Sequence, residues 1–409
     1  MSATPVHSLP LVPASSGGEL LLGGQPLSML AARVGRTPFY AYDRGLIRQR
    51  VQLLRNTLPA SVKLHYAMKA NPFAPLVGFM VGLVDGIDVA SAGELMVALN
   101  VGAPVAEVSF AGPGKSEMEL QQAVAAGILI NVESMREIEL LAAVGDRLGA
   151  HPRVAVRVNP GFELKGSGMK MGGGPKQFGI DEERVPNALG RIGALGLKFE
   201  GFHLFAGSQN LRAEAVCEAQ RLAYALAVRL ADDAPAPVTM LNLGGGFGIP
   251  YFPGDRPLEL GPIGANLAEI SQRCARELPK AGIVIELGRY LVGEAGVYVT
   301  RVVDRKVSRG QVFLITDGGL NHHLSASGNF GQVIRKNYPV AINGKADGPR
   351  EVASVVGPLC TPLDLLADRV ELPPADVGDL FVVFQSGAYG ASASPQRFLA
   401  HPECVEVLV

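Results

Sequence analysis

The sequence predicts a (β/α)8 barrel followed by a C-terminal antiparallel β-domain, and three observations carry that prediction. Eight short apolar runs alternate with helix-like segments between residues 63 and 287. Beyond about residue 293 the pattern changes to a period of two, with Gly and Pro clusters between the runs. Polar or glycine-rich residues recur at the C-terminal ends of the eight runs, the rim where barrels of this kind keep their chemistry.

The eight runs are 63–68, 86–90, 107–110, 128–132, 153–158, 199–205, 238–243 and 283–287. Between them, 134–148 carries Ile138, Leu140, Leu141 and Val144 at helical spacing, and 212–230 is rich in Ala and Leu. Strands that alternate with helices imply a parallel sheet, and eight of them close it. Residues 296–303, 311–316 and 380–385 alternate as half-buried antiparallel strands do. The first 35 or so residues hold one helical stretch, 27–34, and are expected to add a strand to the β-domain. The implied boundaries are 1–36 for the N-terminal segment, 37–292 for the barrel and 293–409 for the β-domain.

Composition narrows the function. Lys+Arg is 37 and Asp+Glu is 38, a net charge of −1, which lacks the electrostatic footprint of a nucleic-acid or anionic-membrane binder. The longest apolar stretch, 73–84, is broken by Pro75, Gly78 and Gly82 and falls short of the roughly 20 residues of a membrane span. The N-terminus lacks a basic region followed by an apolar core, so no signal peptide is expected. Cys217, Cys274, Cys360 and Cys404 share no CxxC or zinc-type spacing and read as reduced thiols of a cytoplasmic protein, with no metal site.

The rim residues suggest chemistry. Run one ends in Lys69, and a lysine held on a rigid element is the residue type that forms Schiff bases with carbonyl cofactors. Run two carries Asp88, with Ser91 and Glu94 just beyond. Run five holds Arg157, and run six passes from His203 through Phe205 to Ser208. Run seven leads into Gly244, Gly245 and Gly246, whose bare backbone lets N–H groups approach a phosphate. The run is not a GxGxxG fingerprint. Run eight ends in Glu286, then Gly288 and Arg289. A buried carboxylate there needs a cationic partner: a protonated pyridine nitrogen, or a core arginine such as Arg157. Lysine, phosphate cradle and carboxylate together suit pyridoxal 5′-phosphate (PLP).

These motifs, with Gly357-Pro358-Leu359-Cys360 and Gly387-Ala388-Tyr389-Gly390, occur in the order found in the fold-type III PLP-dependent decarboxylases, which the chain resembles from about Phe39 to Phe398. That resemblance implies a barrel of the alanine racemase type and an amino-acid α-decarboxylase. It casts Lys69 as the cofactor's lysine and Glu286 as the partner of the ring nitrogen. Asp88, Arg157, His203, Phe205 and Gly288 belong to the cofactor site, and Gly244 to Gly246, Ser208, Arg289 and Tyr389 hold the phosphate. It also implies a homodimer in which the other subunit contributes Cys360, a proton donor near Cα, and Asp364, a contact for the substrate amine. Residues 205–209 and 165–174 further resemble a subgroup found with exosortase and polysaccharide loci. Phe205 stands where diaminopimelate decarboxylases place a stacking histidine, with His203 as a partial substitute. Ser325 stands where they place an arginine for the distal carboxylate, and Arg335 follows only after an insertion, where it and Lys336 are expected to contact the substrate, meeting a carrier arm's phosphate or an acidic carrier surface. The enlarged loop and a glycine-rich lid at 166–174 point to a longer or carrier-linked substrate. The alternatives are an amino-acid racemase on the same barrel and diaminopimelate decarboxylase proper.

Overall fold

The computed structural model describes residues 6–8, 10–15, 17–163, 169–170 (backbone alone), 172–332, 334–345 and 348–409. They form two compact units. Among the described residues no helix is long and apolar enough to cross a membrane.

The first unit comprises Val51–Ile249 and Pro257–Gly288. Its strands are β1 (Val62–Ala67), β2 (Gly86–Val89), β3 (Val108–Phe110), β4 (Leu129–Val132), β5 (Arg153–Asn159), β6 (Lys198–Leu204), β7 (Met240–Gly245) and β8 (Gly282–Leu287). All pair in parallel, β4 meets β5 and β8 meets β1, so the ring closes. The eight apolar runs are these eight strands. Three successive helices begin on the same local device. Ser91, Ser116 and Ser134 each accept a hydrogen bond from the amide of the glutamate three residues on. Such a cap is worth about 1 kcal/mol. Ser91 and Glu94, placed on the rim by the sequence, are thus accounted for as a helix start.

The second unit gathers the described residues up to Arg50, Pro250–Arg256 and Arg289–Val409. Its sheet contains β9 (Gly296–Ser308), β10 (Gln311–Thr316), β11 (Val340–Ile342), β12 (Glu351–Val356), β13 (Leu365–Leu372), β14 (Leu380–Val383) and β15 (Val405–Leu408), plus the strand Phe39–Tyr42. Most neighbours are antiparallel, but β10 pairs β12 in parallel and β15 pairs Phe39–Tyr42 in parallel, so the sheet is mixed. Its core packs Leu22, Leu27, Leu30, Phe39, Val297 and Val382.

The N-terminal expectation needs correction. Leu21–Leu22 and Gln25–Pro26 make a small ladder of their own. The strand added to the sheet is Phe39–Tyr42, which pairs β9. Its FYAY sequence is buried at every position, so it reads like an interior strand of either unit. The compact units therefore divide at residue 50, not at 36, and Arg289–Val292 goes with the β-unit.

Candidate active site

Each barrel strand carries at least one buried polar side chain among apolar neighbours: His65, Asp88, Ser109, Asn131, Arg157 with Asn159, His203, Asn242 and Glu286. Barrel interiors are ordinarily filled by Val, Ile and Leu. Burying polar groups is costly unless they meet one another, and here they do.

At the C-terminal rim lies a cavity of about 320 Å3, lined by Lys69, Asp88, Arg157, Phe178, His203 and Glu286 among others. Its size is at the lower end of ligand pockets, roughly 300–1,000 Å3. Lys69 sits on the short 3-10 turn Met68–Ala70 directly after β1. Its Nζ lies 5.4 Å from the centroid of the Phe205 ring. Gly288, across from it, is a position where a Cβ would meet the Ala70 Cβ at 2.8 Å.

Glu286 is buried at the end of β8. Its Oε2 accepts from Asn242 Nδ2 at 3.0 Å and lies 3.1 Å from His203 Nε2. Burial pushes this carboxyl's pKa up, but the charges and hydrogen bond of His203, with Lys69 and Arg157 behind them, outweigh burial and hold it well below the usual carboxylate range. Glu286 is therefore an anion lining the cavity, and among the described residues its Oε1 has no hydrogen-bond partner. The core arginine considered from the sequence is engaged elsewhere: Arg157 Nη1 donates to Glu133 Oε1 at 2.8 Å. Its guanidinium also lies 4.9 Å from the Phe178 ring. Glu133 accepts from the Gly112 and Gly179 amides as well. Behind it, buried Lys115 donates to Gly112 O, Asn131 O and Glu137 Oε2.

Asp88 Oδ1 accepts from Ser109 Oγ at 2.7 Å and lies 3.0 Å from His65 Nδ1. Of the glycine run, Gly244 and Gly246 have φ of +69° and +74°, and a Cβ on Gly245 would lie 2.1 Å from Glu286 O. Strand packing and backbone conformation therefore demand glycine here. Ser208, on the next strand end, is half-buried, and its backbone pairs with Met169. Residues 164–168 and 171 of the expected lid lie outside the described residues.

In the β-unit, Arg289 Nη1 donates to Tyr251 Oη at 3.2 Å, and its guanidinium lies 4.7 Å from the Tyr389 ring centroid. Tyr389 holds φ of +53°. Cys360 is exposed. Two substrate expectations meet a different arrangement. Asp364 is buried, and its oxygens accept from the Leu320 and Leu359 amides at 2.6 and 2.8 Å. It braces the loop that carries Cys360 and does not extend from it. Arg335 turns inward as well, giving Nη1 to Ser327 O and Nη2 to Leu365 O. Ser325 Oγ donates to Tyr389 O at 2.8 Å.

The residues present fit PLP. The barrel offers an amine at Lys69, an ionised carboxylate with one unpaired oxygen at Glu286, and a side-chain-free backbone turn at 244–246. The sequence reading missed His65, Ser109, Asn131, Glu133, Lys115 and Asn242. Each is a polar residue in or beside an apolar strand, a pattern that does not by itself show which of them meet once the barrel closes.

A family model described as "Pyridoxal-dependent decarboxylase, pyridoxal binding domain" matches residues 44–293. The chain is 38% identical over 380 residues to the L-glutamyl-[BtrI acyl-carrier protein] decarboxylase of Niallia circulans, covering 91% of this chain and 88% of that one. It is 32% identical over 399 residues to the diaminopimelate decarboxylase of Aquifex aeolicus, covering 96% and 91%. The structure of diaminopimelate decarboxylase from M. jannaschii in co-complex with L-lysine superposes with a TM-score of 0.86 at 25% identity, covering 97% of this chain and 92% of that one.

Proposed function

This chain belongs to the pyridoxal-dependent decarboxylases, and on that premise we propose that it acts on an aminoacyl group linked to a carrier protein. Its cofactor is PLP, which when bound supplies the electron sink for the pair released as CO2 leaves the substrate's Cα. The chain's own residues do the rest. Lys69 presents its amine beside the Phe205 ring. Glu286 offers an ionised oxygen to a protonated ring nitrogen, with Asn242 donating to the other oxygen and His203 Nε2 3.1 Å from it. The 244–246 turn and Ser208 serve the phosphate within the barrel, and Arg289 and Tyr389 are carried over for the same group.

One observation carries the substrate reading. At the place where diaminopimelate decarboxylases keep a cation for the distal carboxylate stands Ser325, hydrogen-bonded to Tyr389 O. Arg335 is no substitute, because its guanidinium is committed to main-chain carbonyls. A substrate whose far end is a thioester arm needs no such cation. The name of the Niallia circulans relative supports this choice, as does the resemblance to a subgroup from polysaccharide loci. Exposed Lys336 is available to an acidic carrier surface. The test is kcat/KM for free diaminopimelate against an aminoacyl-carrier thioester. A higher value for the free amino acid would sink the carrier reading and leave diaminopimelate decarboxylase proper.

The assembly we infer is a homodimer with shared sites, in which exposed Cys360 serves the partner's site. Mixing Lys69→Ala with Cys360→Ala protein is expected to restore activity by forming one native site per mixed dimer. A fully active monomer in sedimentation would contradict it.

A further inference from the structure

The barrel holds a second buried histidine–carboxylate pair, to which the sequence assigned no role. His65 lies in mid-strand on β1, with Gly86 and Glu286 as its register partners on β2 and β8. A Cβ on Gly86 would lie 2.4 Å from His65 Nε2, so the glycine makes room for the imidazole. His65 Nδ1 faces Asp88 Oδ1, the oxygen that also takes the Ser109 hydroxyl. Asn131 Nδ2 in turn donates to Ser109 Oγ at 3.2 Å.

Both ends of this pair are left open. Asp88 lines the rim cavity, and its Oδ2 is buried without a hydrogen-bond partner among the described residues. His65 Nε2 is likewise buried without one. His65 lines a second cavity of about 150 Å3 at the N-terminal ends of the strands, walled by Lys63, Glu107, Arg153 and Glu200. A polar cavity of that size has room for several waters. The pair therefore spans from the lower cavity to the upper one.

We propose that His65 is a positioning residue for the cofactor site. It fixes Asp88 with Oδ2 toward the rim cavity, and through Nε2 and water in the lower cavity it takes or gives the proton that sets the charge of the pair. With His65 protonated the pair is neutral; with His65 neutral, Asp88 presents a net negative charge to the cavity that Lys69 also lines. The charged groups around the imidazole favour holding that proton. Asp88, Glu107 and Glu286 face it from β2, from the turn before β3 and from β8, with Asp85 further off. Lys63, Arg153 and Glu200 stand around the lower cavity in ion pairs, Lys63 with Glu107 and Arg153 with Glu200. Burial drives the imidazole pKa down, but the carboxylates outweigh it and the net direction is up.

The inference rests on the cofactor reading of the rim cavity, which PLP binding by the wild-type protein tests by itself. The discriminating experiments are 15N NMR of histidine-labelled apoprotein and PLP affinity across pH 6–8 for wild type, His65→Asn and His65→Leu. In wild type, the signal lost in His65→Asn is expected to titrate above the ordinary histidine value, and to fall in Asp88→Asn. Asparagine retains a donor toward Asp88 but cannot titrate. His65→Asn is therefore expected to stay within about threefold of wild-type affinity while losing its pH dependence, and His65→Leu to weaken PLP binding about tenfold, the loss of one charge-assisted hydrogen bond. A His65 signal indifferent to Asp88→Asn, or a His65→Asn profile with wild-type pH dependence, would overturn the proposal. Equal loss in both His65 variants would also overturn it, by reducing His65 to packing.

Discussion

The polar layer of the barrel and the aromatic cluster around His323 in the β-unit both bury polar groups, but in different electrical states. In the barrel, charged neighbours outweigh burial and hold two carboxyls below the usual carboxylate range: Glu286, with His203 Nε2 at 3.1 Å, and Glu133, paired with Arg157. In the β-unit, buried His323 meets only neutral groups, Ser386 Oγ at 2.9 Å and the Ala326 amide at 3.3 Å, among aromatic rings, and burial pushes its pKa down to about 3. Buried Tyr40 and Tyr338 are likewise held neutral, with burial driving their pKa values far up. Burial is common to both units, so it is the partner that decides whether a group keeps its charge. A cluster of retained charge around a cavity is the mark of a site where charge must be handled; a cluster of neutral polar groups is the mark of packing.

The largest expected effect breaks one barrel pair. Glu133→Leu leaves Arg157 as a buried cation without its carboxylate, a change that costs about 3–5 kcal/mol. The measurement is the denaturant midpoint of the wild type and the variant. A loss under 1 kcal/mol would mean that the barrel charges are not coupled as the geometry implies.

Next comes Glu286→Gln. The amide keeps the shape and the Asn242 contact region but not the negative charge. Decarboxylation is expected to slow roughly 10²–10³-fold, the scale of removing one preorganised electrostatic group. PLP affinity should change far less, because the 244–246 turn is untouched. Equal losses in rate and affinity would make Glu286 structural and erase the distinction drawn between the units.

What the sequence made legible follows the same division. The eight strands were readable because each is a short apolar run between helical segments, and Lys69, Glu286 and the glycine run were readable because they end those runs. The polar layer inside the barrel was not. Ser109 and Asn131 look like ordinary polar interruptions until the ring closes and sets them beside Asp88. Arg335 and Asp364 show the converse. A charge in a loop reads as available, and only the folded loop brings main-chain carbonyls to Arg335 and main-chain amides to Asp364. Phe39–Tyr42 shows where the domain boundary failed: its buried FYAY run carries no sign of which sheet it joins.

The smallest expected effect sets His65 against His323 and turns on sign. His323 is depressed from an unfolded value near 6.5 to about 3, so the native state refuses a proton that the unfolded chain accepts. The stability it contributes is present above pH 6.5 and is lost as pH falls toward 3, by up to about 1.4 kcal/mol per pH unit. His65 is raised, so its contribution is fully present below pH 6.5 and is lost as pH rises through its folded value. Hydrogen–deuterium exchange between pH 5 and 8, resolved to the two units, separates the two slopes. His323→Gln is expected to flatten the acid-side loss of protection in the β-unit and leave the barrel unchanged. His65→Asn is expected to flatten the alkaline-side loss in the barrel and leave the β-unit unchanged. If both variants flatten the same side, the two histidines share one electrostatic fate, and the contrast between the charged polar layer of the barrel and the neutral aromatic cluster of the β-unit fails where it is most directly measurable.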